Sequence, residues 1–140
     1  MFSKKILVLG LLSVATAFPS LAVAAPAPAP TSQCILSGHR VTSVQPLRAT
    51  TRYGRGVSER LLGATVFIQA EPGLTAEWLQ LTIQRHMTQM GVAGMANCAL
   101  DAKDVRVNVG SAGAGFAVQI TGKDPAQAKE ILRRAQLLAI

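Results

Sequence analysis

Apolar and polar residues alternate along the stretch from residue 62 to residue 70. The apolar set is Leu62, Ala64, Val66, Ile68 and Ala70, with Thr65 and Gln69 between its members. A period of two predicts a strand that is buried on one side. Pro72 and Gly73 end this strand, because proline removes a backbone donor and glycine permits positive φ.

The period then changes from two to that of a helix. Thr75 has the side chain of an N-cap, and the following residues up to Met90 are amphipathic, with Gly91 as the predicted stop. At 100° per residue, Leu79, Ile83, His86 and Met90 share one face. The pattern therefore places a histidine in the middle of an apolar stripe.

Two further alternating segments follow, and then a second helix. The apolar positions are Val105, Val107 and Val109 in one segment and Phe116, Val118 and Ile120 in the other. Residues 110–115, rich in glycine, join them as a hairpin. Asp124 followed by Pro125 starts the last helix, in which Glu130 and Arg134 have the spacing of an ion pair.

This order of elements predicts an α+β fold, β-α-β-β-α. We expect an incomplete ferredoxin-like (split βαβ) sheet with two helices on one face, preceded by an irregular N-terminal arm over residues 34–60. The missing strand would come from residues 40–50 or from a second subunit. The sheet face away from the helices would carry Thr65, Phe67, Gln69, Arg106, Asn108, Gln119 and Thr121.

The N-terminal residues have the pattern of an export signal. Lys4 and Lys5 precede an apolar run of 13 residues, and small residues near position 25 suit cleavage. We therefore divide the chain into a signal peptide (1–25), an Ala/Pro-rich tail (26–33) and one small domain (34–140). Removing the signal lowers the formal net charge from +7 to +5. The expected location is periplasmic or secreted, without a lipobox and without a transmembrane segment.

Cys34 and Cys98 are the two cysteines of the chain. In an exported protein an even number of cysteines favours a disulfide. The bridge would close a loop of 64 residues and stabilise the fold by about 4 kcal/mol. The alternative is a pair of thiolate metal ligands, but neither cysteine belongs to a C-x-x-C cluster.

Arginine is concentrated between residues 40 and 60. Arg40, Arg48, Arg52, Arg55 and Arg60 are interrupted by one acid, Glu59. One interpretation is a site for an anionic partner formed by Arg48, Arg52 and Arg55. The other is a solvated segment in which arginine serves solubility. With Tyr53 as the one interleaved aromatic, nucleic acid is not an expected partner.

His86 is the centre of a second candidate site. With Met90 one turn later and Met95 in the next loop, it forms a soft ligand set that suits Cu(I). The competing interpretation is a buried structural histidine and methionines that fill the core. No catalytic triad or carboxylate pair can be assembled, so we predict that the protein is not an enzyme.

Two segments, AEPGLTAEWLQLTIQRHMTQM (70–90) and GFAVQITGKDPAQAKEILRRAQLL (115–138), with Cys98 between them, resemble an uncharacterised family of small exported proteobacterial proteins. The resemblance covers about the last 80 residues, implies that Glu77, Trp78 and His86 belong to a recurring pattern, and brings no known activity.

These features favour a small exported envelope protein that acts as a binding or interaction module. The expected partner is an envelope protein or an anionic envelope component, and a second copy could join through a free sheet edge. No cofactor is expected on this interpretation. The alternative function is that of a periplasmic copper-binding protein.

Overall fold

The computed structural model describes residues 33–90 and 95–139 of the 140-residue chain. Four strands and two helices follow in the order β1 (Val41–Tyr53), β2 (Gly56–Gln69), α1 (Ala76–Met90), β3 (Arg106–Ala112), β4 (Gly115–Thr121) and α2 (Pro125–Gln136). Short 3-10 helices cover Ile35–Gly38 and Leu137–Ala139. The predicted signal peptide, most of the Ala/Pro-rich tail and the helix stop at Gly91 lie outside the described residues.

The four strands form one antiparallel sheet in the order β1-β2-β4-β3. β2 and β3 therefore run parallel to each other with β4 between them. The α+β class is confirmed. The sheet has one strand more than the three that alternation predicts, and β1 supplies it from this chain.

The prediction of an irregular N-terminal arm over residues 34–60 is wrong. β1 pairs with β2 along almost its whole length, from Val41 opposite Ile68 to Tyr53 opposite Gly56. β2 likewise begins at Gly56, six residues before the predicted start at Leu62. Backbone pairing between β1 and β2 holds this segment together, although much of it has no buried side.

One face of the sheet carries the core. The register places Ala64 beside Ile120, Val66 beside Val118 and Ile68 beside Phe116 on the same face. α2 packs on β2 and α1 packs on β3. The helices bury Leu79, Ile83, Ala128, Ile131 and Ala135 against this face. Both helices consequently cover one side of the sheet, as predicted.

The helix starts follow the predicted caps. Thr75 Oγ1 accepts from the Trp78 amide at 3.1 Å, and Asp124 Oδ1 accepts from the Gln127 amide at 2.8 Å. Each contact satisfies one of the amides that a helix N-terminus leaves unpaired.

The predicted disulfide is confirmed: Cys34 and Cys98 are bonded to each other. Cys98 is 1% exposed, and Leu36, two residues after Cys34, is fully buried. Arg134 of α2 donates to the carbonyl oxygens of Cys98 (3.3 Å) and Asp101 (2.8 Å). The bridge therefore joins the N-terminal segment to the 95–104 loop, and Arg134 joins α2 to the same loop.

Gly63 marks the point at which the β1–β2 hairpin leaves the sheet. The pairing between β2 and β4 begins at Gly63, and the register of β1 on β2 shifts between Leu47 and Arg48. A Cβ atom on Gly63 would overlap the carbonyl oxygen of Ile120, so the close approach of β2 and β4 requires glycine. We call residues 48–61 the hairpin extension and the rest of the domain the body.

The face away from the helices is open and mainly uncharged. Gln45, Thr65, Gln119 and Asn108 form a row across the four strands, in agreement with the predicted polar face. Phe67 lies in the next row and is half-buried. Within the described ranges, neither helix has the length and hydropathy that a membrane span requires.

Candidate interaction surfaces

The hairpin extension is a two-stranded ribbon that projects past the four-stranded sheet. Six residues from Arg48 to Tyr53 reach about 20 Å at the usual rise of a strand. The side chains from residue 50 to residue 60 are exposed on both faces of the ribbon. An isolated ribbon of this kind is marginally stable, so the body and the backbone ladder anchor it.

The pairing of the two strands decides which arginines share a face. Arg48 lies opposite Leu61 and Arg52 lies opposite Val57, so Arg48 and Arg52 belong to one face of the ribbon. Arg60, opposite Ala49, belongs to the other face. Arg55 lies in the turn between the strands. The structure thus gathers the predicted Arg48, Arg52 and Arg55 on one small element, although Arg55 extends from its end.

Arg40 does not belong to this group, because it precedes β1 at the end of the strand remote from the turn. Glu59 is the acid of the extension, and its Oε2 lies 3.5 Å from Arg48 Nη1. Both side chains are 55% exposed, so this ion pair contributes little to stability. The extension keeps a clear excess of positive charge.

The end of the extension also exposes apolar side chains. Tyr53 is 70% exposed and Val57 is 63% exposed, more than any other large hydrophobic residue described. Gly54 and Gly56 flank Arg55 in the turn, and Gly54 has φ +58°. Tyrosine, valine and arginine side chains thus surround a slim turn.

The two edges of the sheet differ in how they are protected. Along β3, the Gln80 side chain of α1 donates to Val107 O at 3.0 Å and accepts from the Val109 amide at 2.7 Å. This amide takes the place that a peptide group of a fifth strand would occupy. Along β1, Pro46 removes one donor from the edge. The unpaired edge that was predicted lies on β1.

His86 is buried on α1, with 6% of its surface exposed. Burial lowers the pKa of its imidazole, so the ring is neutral at pH 7. Its Nε2 atom is buried without a hydrogen-bond partner among the described residues. Such an atom is uncommon in a core, and a neutral imidazole nitrogen is the form that binds metal ions.

Met90 and Met95, the two predicted methionine ligands, are fully and partly buried. Met90 is 5% exposed, and Met95 lines a groove of about 660 Å³ beside Cys34 and Cys98. His86 is not among the residues that line this groove. Within the described ranges, no three His, Cys, Asp or Glu side chains lie close enough to hold a metal ion, and the disulfide removes both thiolates. A copper site at His86, Met90 and Met95 stays a prediction.

His39 is the second histidine, and sequence reasoning assigned it no role. Its Nδ1 lies 3.5 Å from Glu71 Oε1, without the geometry of a hydrogen bond. The two residues connect the segment before β1 to the one after β2.

Three features were not predicted from the sequence: the length of the β1–β2 ribbon, the contact of Gln80 with β3, and the exposed pair Tyr53 and Val57. The sequence signal for the ribbon is Tyr-Gly-Arg-Gly at residues 53–56, a glycine-containing turn between two β-prone runs. A turn at these residues places Tyr53 and Val57 at the exposed end of the ribbon.

Comparison with known proteins brings no match to a family model, to a curated protein or to a solved structure.

Proposed function

We propose that this protein is a small exported envelope protein that binds an anionic envelope component through its hairpin extension, and that it is a binding module and not an enzyme. The observation that carries the proposal is the extension itself. It projects about 20 Å beyond the sheet, is exposed on both faces, and carries Arg48, Arg52, Arg55 and Arg60 against Glu59.

The position of these arginines supports a binding role over one in solubility alone. Arginines that serve only solubility can be spread over a surface, whereas these four lie on one projecting element. Long exposed ribbons also present unpaired backbone edges, which proteins normally keep short. An exposed ribbon with unpaired backbone edges and concentrated positive charge fits a contact with an anionic surface.

The test is retention of the exported domain on isolated bacterial envelope fragments. The variant R48Q/R52Q/R55Q should bind about a hundredfold more weakly, because each basic side chain near an anionic surface contributes about 1 kcal/mol. Raising the salt concentration should weaken the wild type in the same direction.

The matched control removes the same charge from the body, in K103Q/K123Q/K129Q. These three lysines are exposed, and the contact of Lys123 with Asp104 is long, at 3.9 Å. Equal loss of binding in both triple variants would mean that net charge matters and the extension does not, which contradicts the proposal.

A second candidate function is copper binding, and the buried Nε2 of His86 without a partner favours it. The imidazole is neutral, Met90 lies one turn away on the same helix, and Met95 begins the next described segment. An imidazole with two thioethers is a donor set for a soft monovalent ion. If bound, copper would take an imidazole nitrogen and the two methionine sulfurs.

Silver(I) tests this site without a reductant, so that the disulfide stays intact. We expect one equivalent of Ag⁺ to bind the wild type and to shift the Met90 and Met95 methyl resonances in NMR spectra. His86→Leu should lose this binding, whereas Met87→Leu should retain it. Binding that is equal in wild type and His86→Leu would exclude the site.

For the fold, we propose a ferredoxin-like relationship in which β1 fills the place of the missing final strand. The order β1-β2-β4-β3, with β2 and β3 parallel around β4, supports it. A second copy joined through the free edge of β1 is a further proposal. Pro46 opposes pairing at one position of this edge, so such a contact would use the two ends of β1.

A further inference from the structure

We propose that the tip of the hairpin extension, formed by residues 52–57, inserts into the interfacial layer of an anionic lipid bilayer. This inference rests on the proposed function and names the source of the negative charge as lipid headgroups. It is carried by the apolar side chains at the tip, which an interaction of charges alone does not require.

Tyr53 and Val57 lie at the same end of the extension but on different faces. Tyr53 pairs with Gly56 in the last position of the ladder, and Val57 pairs with Arg52 one position earlier. Neighbouring positions of a strand point to opposite faces, so each face of the ribbon ends in an apolar group. A bilayer surrounds an inserted tip on all sides and can cover both groups, whereas a flat rigid surface covers one.

The tip carries both kinds of side chain that a membrane interface favours. Tyrosine is favoured at the boundary between headgroups and acyl chains, and arginine binds the anionic headgroups. Arg55 lies in the turn beyond Tyr53, Arg52 lies level with Val57, and Arg48 and Arg60 lie farther back. Because Arg55 leads and Arg52 lies at the depth of Val57, both guanidinium groups must reach the headgroups, which limits how far the tip can enter.

The insertion must be shallow. Among residues 53–56, the peptide groups of the turn lie beyond the last paired residues, Tyr53 and Gly56. Unpaired peptide groups and the Arg55 guanidinium are costly in hydrocarbon. The tip should therefore stop in the interface, about 5–10 Å deep, in the manner of other peripheral anchors.

Glycine makes this tip narrow. Gly54 and Gly56 have no side chains, and Gly54 adopts φ +58°, which a bulkier residue rarely adopts. Arg55 is the one large side chain of the turn, and its flexible stem can turn back toward the headgroups while Tyr53 and Val57 enter the interface.

An anionic polysaccharide is the rival source of charge. It offers negative groups for the arginines but no apolar layer for Tyr53 and Val57. A protein partner would need a pocket for each face of the ribbon. The test must therefore report on burial of the tip as well as on attachment.

The chain itself supplies the control reporter, because Trp78 is its one tryptophan and lies on α1 of the body, 52% exposed. We would compare the wild type with the double variant Tyr53→Trp/Trp78→Phe, using vesicles of phosphatidylglycerol and phosphatidylcholine in equal parts. The emission of a tryptophan at position 53 should shift to the blue and be quenched by brominated lipid. Trp78 in the wild type should not respond.

Binding strength gives an independent readout. Val57→Ser and Tyr53→Ser should each weaken attachment to these vesicles about tenfold, because each removes apolar surface that the interface covers. Leu81→Ser is the matched control, since Leu81 is 62% exposed on α1. It should bind as the wild type does.

Dextran sulfate separates the two proposals. Both proposals hold if dextran sulfate binds through the arginines without changing the tryptophan emission at position 53, whereas vesicles shift that emission to the blue. If vesicle binding depends on the arginines, but the emission of a tryptophan at position 53 does not shift and Val57→Ser binds as the wild type does, the proposed insertion is wrong. The proposed electrostatic contact then remains. A shift of Trp78 in place of position 53 would overturn the insertion and move the contact to α1.

Discussion

The body and the hairpin extension are built from the same two strands and differ in almost every other respect. In β2, Ile68 is 1% exposed, whereas Val57, eleven residues earlier, is 63% exposed. The backbone ladder joins them along β1, with register shifts beside Gly63 and between Val41 and Ser43. Both parts of β2, in the body and in the hairpin extension, are therefore hydrogen-bonded to β1. They differ in the burial of their side chains.

This difference separates the origin of stability from the origin of function. The body buries its residues between one sheet face and two helices, and it carries the disulfide. The extension holds charge and apolar groups in solvent, where they contribute little to folding. Changes in the body should alter the free energy of unfolding, and changes in the extension should alter binding.

The largest expected effect comes from breaking the body at its bridge. The variant Cys34→Ser/Cys98→Ser should lose about 4 kcal/mol of unfolding free energy, since the loop between the cysteines spans 64 residues. Urea denaturation followed by circular dichroism measures this loss. Reduced wild-type protein should unfold at the same urea concentration as the variant. A loss below about 1 kcal/mol would mean that the bridge does not restrain the unfolded chain.

The second prediction compares the loss of a buried side chain of β2 with the loss of an exposed one. Ile68→Ala should cost about 3 kcal/mol, because the side chain is fully buried and leaves a cavity. Val57→Ala should change stability by less than about 0.5 kcal/mol, because its side chain is in solvent. The pair is measured in the same urea experiment. Similar losses for both variants would show that the extension is packed and not projecting.

The same contrast explains which strands could be predicted from the sequence and which could not. Strands β3 and β4 and the buried half of β2 were predicted from alternation, since each has one face in the core. The extension has no buried face, so Thr50, Thr51 and Ser58 carry no alternation, and their pattern predicts irregular structure. Alternation reports burial, and it cannot detect a strand that is only hydrogen-bonded.

The candidate site divides in a similar way. The charge of Arg48, Arg52 and Arg55 was visible in the sequence, because charge density needs no tertiary information. Their placement on one ribbon, with Tyr53 and Val57 at its end, depended on the register of β1 on β2. The burial of His86 followed from helical periodicity, whereas its unpartnered Nε2 depended on tertiary packing.

A smaller effect should follow from exposing the edge of β3, which a side chain of α1 protects. Gln80→Ala removes the amide that bonds Val107 O and the Val109 amide, at a cost of about 1 kcal/mol. Hydrogen exchange at the Val109 amide should become faster, and Gln84→Ala, exposed on the same helix, should leave it unchanged. Unaltered exchange in Gln80→Ala would mean that β3 needs no such protection.

The smallest effect concerns the surface charges of the two regions. On the body, Glu130 accepts hydrogen bonds from Arg133 and Arg134, at 2.7–2.8 Å, and these bonds lower the pKa of its carboxyl to about 2. Because the folded pKa lies below the ordinary value of 4.5, the pair contributes stability above pH 4.5 and loses it as the pH falls toward 2.

The difference in stability between wild type and Glu130→Gln should therefore be present at pH 6 and shrink between pH 4.5 and pH 2. Glu59→Gln is the counterpart on the extension, where the single contact with Arg48 is 3.5 Å long. It should alter stability by less than about 0.5 kcal/mol at pH 6. An NMR titration of the Glu130 carboxyl gives its pKa directly. A midpoint near 4.5 would show that, in the dissolved protein, Arg133 and Arg134 do not form these hydrogen bonds with the Glu130 carboxylate. The charged side chains on the surface of the body would then be no better ordered than those of the extension.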